Sequence, residues 1–172
     1  MNKRILVLGS KFGSNLPDVS VDKIYTANAA ALRAIRYREK YPNNELICCT
    51  NVKEYERNFK VKEAILKASP NKLIFRSGKS KIDDLRNCEI KFLSNKDQIN
   101  FQSSFFNLKK ITFYLGELKY RKKNFKETLF YFYNNLKRNS FLGVSTGLFA
   151  ILTALHENEG HEIITSGIGF NG

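Results

Sequence analysis

Short apolar runs that stop abruptly at glycine or asparagine constrain this chain more than any other feature. Residues 4–9 (R-I-L-V-L-G) are apolar almost without interruption up to the glycine, as in a central parallel strand buried on both faces. Residues 23–27 form a second, shorter run that stops at Asn28. Residues 45–50 form a third that stops at Asn51. A fourth covers residues 71–77 and ends at Gly78, and residues 89–94 offer a fifth. Residues 29–41, with Leu32, Ile35 and Arg36 at helical spacing, read as a helix that stops before Pro42. Residues 52–68 read as the next. This alternation predicts an α/β domain, Rossmann-like, with a mostly parallel sheet flanked by helices. No internal repeat or low-complexity linker divides it, so one domain over residues 1–172 is expected.

The last thirty residues carry the densest signal. Gly143-Val144-Ser145-Thr146-Gly147 reads as a tight entry loop, residues 148–155 as an apolar helix and residues 162–166 as a buried strand with a glycine-rich exit. Ser145 is a good N-cap, since its hydroxyl can accept a backbone N–H two or three residues on. Gly147 then lies in the first turn with no side chain to block a ligand. Free N–H groups and a positive dipole make such a helix start a seat for an anion. Parallel sheets bind ligands beyond their carboxyl ends, so the loop after Gly9 is a second candidate. The spacing there is not G-x-G-x-x-G, and the dinucleotide fingerprint is absent. Asn28 and Asn51 each end a strand and begin a helix. Each is either an ordinary helix cap or an amide turned toward the cleft.

Elsewhere the sequence says less. Residues 95–102 read as a loop or short helix, and residues 111–120 resist assignment. Residues 124–139 read as a helix with Phe125, Leu129, Phe132 and Leu136 on one face, expected to be core. A net charge of +13, from 29 Lys and Arg against 16 Asp and Glu, favours anionic partners such as nucleotides or the surface of an acidic membrane. No zinc finger, basic zipper or RNA-binding aromatic signature argues for nucleic acid. The three cysteines have no metal or disulfide spacing, and Asp83-Asp84 is no Asp-x-Asp metal motif. No apolar run is long enough to span a bilayer. A cytoplasmic protein is expected, with peripheral contact at the inner face of the membrane as one option.

The V-S-T-G opening, the helix with Ala150 and Ala154, and the closing I-I-T-S-G-I-G-F-N-G together resemble the bacterial sialyltransferases. The likeness extends faintly to Gly9-Ser10, Asn28 and Asn51 and covers about a third of the chain, chiefly residues 143–172. It implies the GT-A-like variant of the Rossmann-like sheet and inverting transfer of sialic acid, or a related sugar, from CMP-sialic acid to a glycan acceptor such as a lipooligosaccharide. No metal or other cofactor is implied; the CMP-sugar is a substrate. The resemblance puts Gly9 and Ser10 near the donor phosphate, and Asn28 and Asn51 on phosphate, ribose or sugar. Ser145, Thr146 and Gly147 would hold the carboxylate, with Gly167, Phe170 and Asn171 completing the donor site.

Three departures stand against it. Ser10 replaces an asparagine, Gly169 an aspartate and Asn171 a phosphate-binding tyrosine. The family's general base is a histidine further downstream than Gly172, so a truncated, reduced or inactive domain is implied and no catalytic residue is assigned. His156 and His161 fall at the far end of the last helix, roughly 18 Å from Ser145, beyond hydrogen-bond reach of an acceptor there. Two other readings stay open. One is a Rossmann-like enzyme of the pterin diphosphokinase or motility-accessory type; the other is a non-catalytic basic nucleotide- or nucleic-acid-binding module. Whether the chain forms a homo-oligomer is left open as well.

Overall fold

The computed structural model describes residues 3–11, 13–79, 81–114, 124–138 and 143–169. Phe170, Asn171 and residues 115–120 of the unassigned stretch lie outside them. The chain divides into two compact units, Met1–Phe92 with Ser145–Gly172, and Leu93–Val144.

In the first unit six strands make one sheet: β1 (Arg4–Leu8), β2 (Lys23–Ala27), β3 (Glu45–Thr50), β4 (Lys72–Phe75), β5 (Glu89–Phe92) and β6 (Glu162–Ser166). Every neighbouring pair is parallel, in the order β5-β4-β3-β2-β1-β6. The chain therefore steps outward strand by strand from β1 to β5, then returns to the other side of β1. Winding reverses between β1 and β6. In open parallel sheets the crevice beyond the strand ends at such a reversal is where ligands bind.

Both faces of the sheet are covered, as the continuous apolar runs require. Side chains alternate between the faces. Leu6, Leu8, Ile24, Leu46, Cys48, Leu73 and Phe75 join one cluster with Ala34 and Tyr37 of α1 (Ala31–Lys40) and Ala64 and Ile65 of α3 (Phe59–Ala68). Ile5, Val7, Tyr25, Ile47 and Cys49, also buried, have the opposite parity. That face carries the last helix of the chain (Thr146–Glu157), which packs across β1, β2, β3 and β6. This helix buries Phe149–Ala154 without a break, as a stretch apolar all round must. Thr153 is accommodated by donating its hydroxyl to the Phe149 carbonyl at 2.8 Å. At the far end, Asn158 donates to Tyr25 Oη at 3.0 Å and to the Ala154 carbonyl at 2.8 Å, and Tyr25 donates to Glu157 at 2.7 Å.

Five sequence expectations change. The last strand is not buried: β6 lies at the sheet edge and its residues are half-buried or exposed. The helix expected over residues 52–68 is two, α2 (Val52–Arg57) and α3, broken at Asn58. Asn58 has an extended backbone, and its carbonyl accepts from Val61 and Lys62 to start α3, so it ends one helix and opens the next. Its side chain donates to Glu54 Oε1 at 2.6 Å and makes no cap bond to α3. The buried stripe of α1 is Ala31, Ala34 and Tyr37, while Leu32 is 44% exposed. In the second unit the polar segment after Ser94 is a full helix, α4 (Asn95–Phe106), nucleated by a reciprocal Ser94–Asp97 capping box. α5 (Phe125–Arg138) forms as expected, but its Leu129 and Leu136 are 50% and 45% exposed. These two leucines are not core: helical spacing marks an apolar stripe without saying what covers it. The last helix, Thr146–Glu157, is α6. Among the described residues no helix is long and apolar enough to cross a membrane.

Candidate functional site

Beyond the ends of β1, β2 and β6 lies a cleft of about 340 Å³. Gly9, Ser10, Asn28, Ser145, Thr146, Gly147 and Gly167 border it, with Lys11 and Gly169. The sheet order brings these residues together from sequence positions more than a hundred apart.

The two strand exits form its floor. Pairing continues past β1 and β6, with the Gly9 N–H donating to the Ser166 carbonyl at 2.8 Å and the Lys11 N–H to the Gly167 carbonyl at 2.9 Å. A side chain on Gly9 would overlap the Gly167 carbonyl. Gly167 has φ +70, and a Cβ there would overlap the Arg33 guanidinium. The chain's own packing therefore demands both glycines, whatever else they do.

Arg33 ties these exits down from α1. Its Nη1 donates to the carbonyls of Gly9 at 2.6 Å and Ser166 at 3.1 Å; its Nη2 donates to the Ser14 carbonyl at 3.0 Å and Ser166 Oγ at 2.9 Å. Burial lowers its pKa from the ordinary guanidinium value. The sequence reading missed this residue, although one signal was present: Arg33 follows Ala30 and precedes Tyr37 at helical spacing, a cation beside the buried stripe.

The two asparagines part company. Asn51 caps α2, its Oδ1 accepting the Glu54 N–H at 2.7 Å, and it does not border the cleft. Asn28 does border it, with a left-handed backbone at φ 52. Asparagine tolerates that region better than most residues, and strain of this kind collects at binding sites. The buried Thr50 hydroxyl donates to Asn28 Oδ1 at 2.9 Å. With its oxygen pinned, the amide's free valence is its NH₂, which donates to no protein group among the described residues. A pinned donor at a cleft is pre-organised to meet an acceptor.

Across from it, α6 begins. Ser145 Oγ accepts the Leu148 N–H at 3.2 Å and its carbonyl accepts the Phe149 N–H at 2.8 Å. The amides of Thr146 and Gly147 remain as the unsatisfied donors of the first turn. Unlike Gly9 and Gly167, Gly147 is not required by packing: a Cβ there would meet only Ile168, at an ordinary 3.7 Å. Arg76, just past β4, donates from Nη1 to Thr146 Oγ1 at 3.1 Å and lies 5.0 Å from the centre of the Phe149 ring. Burial lowers its pKa. This is a second cation the sequence did not single out. It adds positive charge beside the helix start.

His156 is exposed near the C-terminal end of α6, and the His161 ring contacts the Glu159 carbonyl at 3.0 Å, both remote from the cleft in the fold. Burial pushes the Cys48 thiol up to about 12 and raises Cys49 as well, which makes both poor nucleophiles. Phe170 and Asn171 lie outside the described residues. No protein-family model matches the chain, and no curated protein or solved structure matches it.

Proposed function

We propose that the chain binds a nucleotide-sugar donor of the CMP-sialic acid class in the cleft between β1 and β6 and is built for its transfer to a glycan acceptor. What supports this reading is one convergence. The Thr146 and Gly147 amides, the Asn28 amide and Ser10 meet at the strand reversal, beside Lys11 and with no described carboxylate among the lining residues. Such a set favours an anion, whether phosphate or sugar carboxylate. The Ser-Thr-Gly turn and the likeness to the bacterial sialyltransferases narrow the anion to a CMP-sugar. In the transfer a sugar hydroxyl attacks the anomeric carbon and gives up its proton to solvent, the bond to the CMP oxygen breaks, and the N–H and hydroxyl donors stabilise the departing phosphate.

Thermal unfolding with nucleotides tests it. CMP should raise the melting temperature, by an amount that grows with the logarithm of its concentration over Kd, because only the folded chain has the cleft. Stabilisation by ATP or GTP but not CMP would transfer the site to a kinase-type or other purine-nucleotide enzyme. Release of CMP from CMP-sialic acid in the presence of an acceptor then reads the chemistry itself.

A further inference from the structure

A second hollow, of about 550 Å³, adjoins the first on the α1 side of the loop after β1. Ser10 and Lys11 border both, so the two hollows, the first and the second arm, meet at this loop. Three cations line the second arm: Lys11, Arg33 and Arg36. No carboxylate is among its described lining residues. Arg33 is committed to backbone oxygens, as described above, and serves as a wall. Lys11 and Arg36 are exposed and form no ion pair among the described residues. Asp18 lies in the adjoining hollow that Arg36 also borders, and Lys40 and Tyr41 already engage it. Ser14 and Asn15 line this arm together with Ala29 and the half-exposed Leu32, and the Ser14 hydroxyl donates to the Lys11 carbonyl at 2.8 Å.

Unpaired cations repel one another and leave this arm with a standing demand for negative charge. Hydroxyl and amide groups beside an apolar patch suit the two sides of a sugar ring. We infer that the second arm binds an anionic saccharide, carrying a carboxylate or a phosphate, with Arg36 as its principal charge contact. Naming that saccharide the acceptor rests on the donor reading above; the preference for an anionic sugar does not.

The test is an amide-shift NMR titration of the full chain with N-acetylneuraminate, glucose 6-phosphate and glucose, each with and without saturating CMP. The charged sugars should bind about tenfold more tightly than glucose, as one charge-assisted contact implies, and the stronger of the two identifies the anion. Arg36→Gln should bring them to the level of glucose while leaving CMP affinity unchanged, because Arg36 does not border the first arm. Equal binding of charged and neutral sugars overturns the inference. So does a preference that survives Arg36→Gln, or displacement of the charged sugars by CMP, which would put them in the first arm. If wild-type protein ignores CMP yet keeps an Arg36-dependent preference, the donor reading falls and the anionic-saccharide arm stands.

Discussion

Replacing Gly147 by leucine separates a binding role for the α6 start from a purely structural one. Glycine costs a helix about 0.8–1 kcal/mol relative to alanine, and leucine is nearly as good a helix former as alanine. The Cβ of the new residue meets only Ile168, at 3.7 Å, so nothing in the chain opposes it at its root. Stability should therefore hold or rise by up to about 0.8 kcal/mol, a shift of about 2–3 °C in a domain of this size. The branches of the side chain extend past Ile168 into the opening that the Thr146 and Gly147 amides face. A phosphate or carboxylate held by two charge-assisted N–H contacts would lose about 3 kcal/mol, or about a hundredfold in Kd. Calorimetric titration with CMP, alongside thermal unfolding, measures both. A folded Gly147→Leu chain with wild-type CMP affinity would refute the placement of the donor at this turn. Gly147→Ala grades the effect, because it adds the helix propensity with only a single carbon.

Asn28→Gly should keep the left-handed turn and cost about 1 kcal/mol, because the buried Thr50 hydroxyl loses its acceptor, while weakening CMP about tenfold. Asn28→Ala should weaken it equally and also destabilise by about 2 kcal/mol, because alanine resists that backbone and the buried Thr50 hydroxyl loses its acceptor; denaturant melts distinguish the two. Gly167→Ala should cost about 2 kcal/mol or more, from the positive φ and from displacing Arg33, and equal denaturation midpoints would refute the clamp. Cys48 and Cys49 should resist iodoacetamide at pH 8 in the folded chain and react once it is unfolded. Their folded pKa values are raised, so the folded state holds more protons than the unfolded one. Stability is whole below the ordinary thiol value of 9.0 and declines as pH rises toward about 12, where Cys48 titrates. A melting temperature flat from pH 8.5 to 11 would contradict the burial of these thiols.

Much of the sheet was legible because its cause is local. A short apolar run that stops at glycine or asparagine suits a parallel strand buried on both faces, so β1, β2 and β3 were readable almost to the residue. The cap at Ser145 was equally plain, since serine satisfies a helix-start N–H from its own position. Helix breaks and coverage were less so. Asn58 divides α2 from α3 by an extended backbone at a single residue, which a run of helix formers conceals. The apolar stripe of α5 follows its spacing, yet nothing in that spacing says whether another element covers it.

By itself, the sequence determined a parallel α/β sheet, a capped helix start with free amides before its last strand, and a strongly positive charge. These follow from residue chemistry over a few neighbours, where period and capping act. Only the tertiary structure decided that Asn28 faces the cleft while Asn51 caps a helix, and that Gly9 and Gly167 are glycines because two strand exits touch. It likewise decided that Arg33 and Arg76 bear on the same groove from opposite faces of the sheet. Those outcomes depend on the strand order β5-β4-β3-β2-β1-β6, which sets residues far apart in sequence a hydrogen bond apart in space. No local pattern encodes that order.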